Sequence, residues 1–225
     1  MNEKCWLKDR CNHKDCNSFC MRFFKLNALY DLSLIPLNNR KHLTLRIDDD
    51  GTDEEQFGQL KELENNILSF INNGQNMFIF SDTTGNGKTS WALRMVESYL
   101  DKIWVKSELK CRVLFISVPR FLLELKSNIS EKSDYIKHIN DNILDCDLVV
   151  WDDIATKLGT EFELSHLLSI IDTRIANGKS NIYTSNLSGT NLCKALGDRL
   201  YSRIVNFSDY NFKFSGKDKR NIKNV

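Results

Sequence analysis

The chain of 225 residues is long enough for one medium-sized domain with a small appendage, and its 41% of hydrophobic residues can bury a substantial core. Its 31 basic residues almost balance its 30 acidic residues, which excludes a globally basic field as the basis of any nucleic-acid binding. The N-terminus has no apolar signal-like segment, and no apolar run approaches membrane-spanning length. These features predict a globular protein of the cytoplasm that makes no membrane contact.

Four of the seven cysteines lie close together near the N-terminus, in the spacing Cys5-x5-Cys11-x4-Cys16-x3-Cys20, with His13 between them. Four thiolates can close a tetrahedral shell around Zn²⁺, and the ion then stabilises a segment too short to build its own core. A disulfide framework is the alternative, although nothing in the chain suggests secretion. We favour a zinc site of four cysteines over one in which His13 replaces a cysteine.

The region after the cysteines contains two predicted helices and a linker. The segment MRFFKLNALYDL predicts a short helix, and the acidic stretch RIDDDGTDEE indicates a linker. Thr52 and Glu55 have the spacing of a capping box, which predicts an amphipathic helix that continues to about Asn72 and ends at Gly74.

Beyond this helix, short apolar runs alternate with longer helical patterns, as in a parallel α/β domain. The predicted strands are 77–80, 112–117, 147–152 and 180–185, and the predicted helical segments are about 86–106, 119–145 and 160–177. Because the strands are apolar along their length, we expect helices on both faces of the sheet. The chain therefore divides into a zinc-binding head with its linker, residues 1–50, and an α/β domain, residues 51–225.

The stretch SDTTGNGKTS, residues 81–90, follows a predicted strand and precedes a predicted helix, which is the setting of a phosphate-binding loop. It matches G-x-x-x-x-G-K-[ST] except that Asp82 stands at the first glycine. Aspartate tolerates a positive φ better than most residues, although its charge can weaken phosphate binding. A chance match in a surface turn is the alternative.

In such a loop, backbone N–H groups at the start of the helix face the phosphates. The lysine reaches the β- and γ-phosphates, and the threonine hydroxyl ligates Mg²⁺. The predicted nucleotide-binding residues are Thr84, Gly85, Asn86, Gly87, Lys88, Thr89 and Ser90.

The run LVVWDD has the pattern of a Walker B strand, in which an apolar strand ends in carboxylates. We predict that Asp152 holds Mg²⁺ through water and that Asp153 polarises the attacking water. An exposed acidic strand end is the alternative. The presence of both motifs in the expected order favours a nucleotide site.

Three polar residues further along the chain fit the same site. Asn186 follows the strand predicted at 180–185 and has the position of a sensor that orients the attacking water. Arg199 and Arg203 lie four residues apart, on one face of a predicted helix. An arginine at a subunit boundary can neutralise transition-state charge on a neighbour's γ-phosphate. We predict this role for Arg203 before Arg199, with a solvated helix face as the alternative for both.

Four blocks of the sequence, in the same order along the chain, resemble the helicase-loader branch of the AAA+ ATPases. This branch is the DnaC/DnaI-like and IstB-like group, which includes loaders encoded by phages. The blocks are VLFISVPRFLLELK, DCDLVVWDDI, RIANGKSNIYTSNLS and LGDRLYSRI. The resemblance covers about residues 55 to 220, and FKFSGKDKR resembles the group's C-terminal strand and basic tip.

The resemblance implies an AAA+ P-loop NTPase domain, a parallel sheet flanked by helices, that binds ATP and Mg²⁺. It implies an ATPase that is slow in isolation, binds the hexameric replicative DNA helicase, self-associates on it and helps deliver it onto single-stranded DNA. It also implies that the zinc-binding head docks on the helicase. Asp82 and Asp153 depart from the commonest pattern, which predicts a reduced rate of hydrolysis more than a loss of ATP binding.

Three other functions are compatible with a phosphate loop. A small-molecule P-loop kinase would need a substrate lid rich in arginines, whereas Asn186 and Arg203 suit hydrolysis across subunits. A transposition helper of the IstB type would also bind ATP, and so would a binding protein that uses ATP only as a conformational switch. The cysteine-rich head favours the loader over the transposition helper.

Overall fold

A parallel sheet of five strands lies at the centre of the computed structural model, which describes residues 5–7, 11, 19–40, 45, 51–127, 132–155 and 159–219. The strand order is β2-β3-β4-β1-β5, and each neighbouring pair is parallel. The strands are β1 Asn76–Phe80, β2 Val113–Ser117, β3 Leu148–Asp152, β4 Ser180–Ser185 and β5 Tyr210–Lys213.

Helices cover both faces of this sheet. They are α1 Met21–Leu32, α2 Glu54–Asn65, α3 Ile67–Asn72, α4 Lys88–Ile103, α5 Val118–Ser127, α6 Asp134–Asn142, α7 Glu161–Ala176 and α8 Gly189–Tyr201. Met77 and Ile79 of β1 belong to one hydrophobic core and Phe78 to the other, as side-chain alternation along a strand requires. The first core is packed by α1 to α4 and the second by α5 to α8, which confirms the covered sheet expected from the apolar strands.

The predicted helix from Thr52 to Asn72 is two helices, and the first of them has Asp53 as its N-cap rather than Thr52 of the predicted capping box. The N-cap of α2 is Asp53, in a left-handed conformation (φ 65°) and without a side-chain capping bond. Its carboxylate instead accepts hydrogen bonds from the backbone N–H groups of Ser215 and Gly216, both at 2.8 Å. A tertiary contact, which spacing within the helix cannot reveal, therefore fixes this N-terminus.

The second helix of the pair ends where it was predicted to end. The chain bends at Asn66 between α2 and α3, and it turns at Gly74, whose φ is +62°. A Cβ on Gly74 would lie 2.5 Å from the carbonyl oxygen of Gly178, so glycine is required there by both conformation and space. The segment predicted at 119–145 is also two helices, because Ser133 accepts a hydrogen bond from Ile136 N and caps α6.

The predicted short helix of the N-terminal region is α1, and it packs onto the α/β core. Leu26, Leu29 and Tyr30 are buried in the same cluster as α4, and the N–H of Phe115 in β2 donates to Ser33 O at 2.9 Å. The division of the chain at residue 50 stays a prediction. Within the described ranges, none of the helices combines the length and apolarity that a membrane crossing needs.

Candidate nucleotide site

The predicted site residues follow strands that are neighbours in the sheet. β4 lies between β3 and β1, and all three are parallel, so their carboxyl ends meet at one end of the sheet. The phosphate loop follows β1, Asp152 ends β3 and Asp153 follows it, and Asn186 follows β4. Ligands of open α/β sheets commonly bind at this end.

Two glycines give the phosphate loop its curvature. Gly85 and Gly87 have φ values of +73° and +104°, in the region that residues with a Cβ rarely adopt. Gly87 is also the N-cap of α4, so the loop leads directly into the helix N-terminus. The backbone therefore has the form that presents N–H groups to an anion.

The Lys88 side chain folds back into the loop that precedes it. Its ammonium donates to Thr83 O at 2.8 Å and to Asn86 Oδ1 at 3.1 Å. Asn86 is fully buried and donates to Ser81 Oγ at 2.6 Å. These bonds hold the ammonium inside the loop, where phosphate oxygens could replace neutral acceptors with stronger charge-assisted bonds.

Asp82 does not adopt the positive φ that was expected to explain its presence. The described non-glycine residues with positive φ do not include it. Its exposed carboxylate accepts a hydrogen bond from Ser188 Oγ at 2.8 Å. The residue that replaces the usual glycine thus joins the phosphate loop to the loop that follows β4.

Thr89 and Asp152 are in direct contact across the site. Thr89 Oγ1 donates to Asp152 Oδ1 at 2.9 Å, and Thr184 Oγ1 donates to the same oxygen at 2.7 Å. Burial raises the pKa of Asp152 to about 6, while the hydrogen bonds from Thr184 and Thr89 oppose that shift. A threonine hydroxyl and a carboxylate are oxygen donors of the kind that Mg²⁺ prefers, so this pair fits the predicted ion.

Asp153 and Asn186 form a second pair beside the first. Asn186 Nδ2 donates to Asp153 Oδ1 at 3.0 Å. Asp153 has a left-handed backbone (φ 58°), and its N–H donates to Thr184 Oγ1 at 2.9 Å. A non-glycine residue held in this conformation stores strain of the kind found at functional sites.

Arg203 is on the surface, in a π-helical turn (Ser202–Asn206) that follows α8. Its Nε lies 2.6 Å from Asp172 Oδ1, and its guanidinium lies 4.5 Å from the ring centroid of Phe207. Arg199 is exposed in the last turn of α8. The two arginines therefore lie in helical segments of different type, and the described contacts of Arg203 connect it to α7 rather than to the phosphate loop of its own chain.

No protein-family model matches the chain, and no curated protein matches it either. Among solved structures, the DnaC helicase loader is 20% identical with a TM-score of 0.53, over 66% of this chain and 86% of that one. A proposed primosome component from Streptococcus pyogenes serotype M3 is 18% identical with a TM-score of 0.59, over 86% and 98% of the two chains. The replication initiator DnaA, bound to AMPPCP and single-stranded DNA, is 19% identical with a TM-score of 0.54.

The fold is that of an AAA+ ATPase domain. This confirms the α/β P-loop fold predicted from the sequence. The match to the DnaA structure covers 72% of this chain but only 46% of the DnaA chain, so less than half of that initiator is represented.

One residue of the candidate site was not predicted from the sequence. Thr184 contacts both acidic residues: its hydroxyl donates to the Asp152 carboxylate and accepts from the backbone N–H of Asp153. Its signal was a polar residue at the carboxyl end of a buried strand, next to the strand that carries the acidic pair. Trp151 pairs with Tyr183, so the following residues of β3 and β4 are neighbours.

The cysteines predicted to bind zinc are only partly described. Cys5 is buried and belongs to the core that α1 joins, whereas Cys11 and Cys20 are half-buried. Cys16 and the alternative ligand His13 lie outside the described residues. Among the residues that are described, no group of three or more candidate metal ligands occurs. The zinc site stays a prediction.

Replacing Asp152 with asparagine should stabilise the protein at neutral pH when no nucleotide is added. Its folded-state pKa is about 6 against an ordinary value of 3.8, so ionising it in the folded protein costs roughly 3 kcal/mol. Protonated Asp152 stabilises the folded state relative to the ionised form. This contribution to the free energy of unfolding is fully present below pH 3.8 and is lost as the pH rises through about 6. Urea unfolding should therefore show Asp152→Asn to be up to about 3 kcal/mol more stable at pH 7.5.

This gain should disappear at low pH, because wild-type Asp152 is then neutral in both states. Asparagine also keeps an oxygen that can accept from Thr89 and Thr184. If Asp152→Asn is less stable than the wild type at pH 7.5, burial does not raise the pKa of Asp152 to about 6.

Proposed function

We propose that this protein is an ATP-dependent loader, which binds the hexameric replicative DNA helicase and helps deliver it onto single-stranded DNA during replication initiation. The observation that carries the proposal is the contact between Thr89 and Asp152, which joins a formed phosphate loop to a Walker B carboxylate. The fold shared with the DnaC helicase loader supports the choice among ATP-dependent activities.

ATP binding rests on the loop between β1 and α4. The Lys88 ammonium exchanges Thr83 O and Asn86 Oδ1 for oxygens of the β- and γ-phosphates. Thr89 and Asp152, whose side chains are hydrogen-bonded to each other, would hold Mg²⁺. When bound, Mg²⁺ supplies neutralisation of the phosphate charge.

Hydrolysis rests on Asp153 and Asn186 and on a second subunit. The Asn186 amide donates to Asp153 Oδ1 and so orients the carboxylate that is to accept a proton from the attacking water. Aspartate is one methylene shorter than the glutamate more common in the group, which supports a slow reaction. In this proposal Arg203 leaves Asp172 and reaches the γ-phosphate of a neighbouring chain when chains self-associate on the helicase.

The partners are assigned to different parts of the chain. The N-terminal head binds the helicase, and the AAA+ domains bind one another and single-stranded DNA. Deleting residues 1–50 is a poor test of this division, because the deletion removes Leu26 and Leu29 from the core. Point substitutions in the head are the sharper tool.

The head should bind one zinc ion per chain through Cys5, Cys11, Cys16 and Cys20. Atomic absorption of the purified full chain should detect the ion, and Cys16→Ser should lose it. Cys16 is a better target than Cys5, because Cys5 also packs in the hydrophobic core. Loss of zinc from His13→Ala with retention in Cys16→Ser would show that the ligand set is wrong, and metal-free full-length protein would refute the site.

Capture of the helicase tests the proposed function. The immobilised chain should retain the replicative helicase of its own host, and should retain it from a mixture that also contains an unrelated hexameric ATPase. If the chain does not retain the helicase either with or without ATP and Mg²⁺, the proposal that it loads the helicase is wrong. Retention of a transposase instead would favour the transposition helper.

A further inference from the structure

The segment that follows β5, Ser215–Lys219, runs from the sheet to the phosphate loop; we call it the C-terminal strap. Its start is firmly attached. The N–H of Phe214 donates to Phe80 O at 2.8 Å, and the Phe214 side chain is buried in the core. The carboxylate of Asp53 then accepts from both Ser215 N and Gly216 N. The strap is thus an ordered part of the fold at this point.

The far end of the strap contacts Gly85 of the phosphate loop. The N–H of Lys219 donates to Gly85 O at 2.9 Å, and its ammonium lies 5.0 Å from the ring centroid of Phe57. A Cβ on Gly85 would lie 1.9 Å from Asp218 Oδ1, which places the Asp218 carboxylate directly against the backbone of the loop. Gly85 therefore lacks a side chain both because of its φ and because Asp218 fills the space.

This arrangement brings a carboxylate next to the loop that is to receive a triphosphate. Like charges at such short range repel, and solvent screens them only in part. The bond from Lys219 N–H to Gly85 O holds the strap, and with it this carboxylate, beside the loop. Closure of the strap on Gly85 and binding of the phosphates are therefore opposed.

We propose that the C-terminal strap is closed on the phosphate loop in the nucleotide-free protein and is displaced by bound ATP, so that Asp218 sets the affinity of the site. The inference rests on the proposed ATP binding and adds its regulation. Displacement breaks the bond from Lys219 to Gly85 but leaves the attachment at Asp53 intact. The strap consequently reports the nucleotide state on the surface beside β5.

Neutralising Asp218 tests the electrostatic part of this inference. Asp218→Asn keeps the size of the side chain and removes its charge, so it should bind ATP roughly three- to tenfold more tightly at low salt. The gain should shrink in high salt, where exposed charges are screened. The matched control is Asp145→Asn, an exposed aspartate in the turn before β3 at the opposite end of the sheet, and its ATP affinity should equal that of the wild type.

Hydrogen exchange tests the movement. Amide exchange in residues 217–219 should become faster when ATP and Mg²⁺ bind, while the amides of Ser215 and Gly216 stay protected by Asp53. If the wild type binds ATP but its exchange in residues 217–219 does not change, the proposed displacement of the strap is wrong. The proposed role of Asp218 is wrong if Asp218→Asn binds ATP no more tightly than the wild type. Either result leaves the proposed ATPase standing. A wild-type chain that binds no ATP would instead refute the proposed function, and the strap with it.

Discussion

Replacing Lys88 with alanine should abolish tight ATP binding while the chain stays folded. The ammonium is almost fully buried and contacts two neutral oxygens, which phosphate oxygens can replace with charge-assisted bonds. Each such bond contributes roughly 1.5–3 kcal/mol, so losing two should raise the Kd for ATP by at least about 100-fold. Calorimetric titration with ATP and Mg²⁺ measures the change.

The matched control for this variant lies on the same helix. Lys102, in the last turn of α4, donates to Asn65 O at 2.5 Å and to Glu64 O, far from the phosphate loop. Lys102→Ala should bind ATP as the wild type does. If Lys88→Ala also kept wild-type affinity, the assignment of residues 81–90 as a phosphate loop would be wrong.

Replacing Arg203 with alanine should remove stimulated ATP hydrolysis without weakening ATP binding. Arg203 pairs with Asp172 of its own chain at 2.6 Å, so it would have to leave this partner to reach the γ-phosphate of a neighbouring chain. An arginine that neutralises transition-state charge in trans accelerates phosphoryl transfer by about 10³-fold or more. Turnover in the helicase-bound assembly should fall by up to roughly this factor.

Two further variants separate catalysis in trans from a structural role of Arg203. Asp172→Asn removes the ion pair but leaves the arginine, so it should retain stimulated turnover. A mixture of Arg203→Ala with Lys88→Ala should recover part of the activity, because one interface joins an intact arginine to an intact ATP site. If the assembled Arg203→Ala variant hydrolyses ATP normally, the arginine that acts in trans is a different one, and Arg199 is the next candidate.

The sheet and its site could largely be predicted because local sequence patterns specify them. Short apolar runs of strand length predicted four strands to within a residue or so at each end, and β4 matches its predicted range, 180–185. The motifs then assigned the positions of Lys88, Thr89 and Asp152, because a parallel sheet gathers the carboxyl ends of its strands at one end.

The errors arose where distant segments decide the local structure. The N-terminus of α2 is fixed by Asp53 bonding to residues 215 and 216, more than 160 positions away, which no capping pattern can encode. The carboxylate of Asp82 likewise bonds to Ser188, more than 100 positions away, and the close approach of Asp218 to Gly85 depends on the path of the chain after β5. Each of these contacts joins segments that only the completed sheet brings together.

Thr184, which bonds to the carboxylate of Asp152 and to the backbone N–H of Asp153, illustrates a sequence signal that was present but not used. Its position is set by register, since β3 and β4 are neighbours, and register follows from strand order. Strand order was not predicted from the sequence. Polar residues at the carboxyl end of any buried strand are therefore worth including among candidate site residues of a P-loop protein.

The most direct test of the proposed loading function is the transfer of the helicase onto circular single-stranded DNA. A circle has no end onto which a ring could thread. We expect helicase on the circle, measured by sedimentation and by unwinding of an annealed strand, to increase when this protein, ATP and Mg²⁺ are added together. It should remain at background with Lys88→Ala. Equal amounts of helicase on the circle with and without the protein, in an assay where the protein binds both ATP and the helicase, would contradict the account.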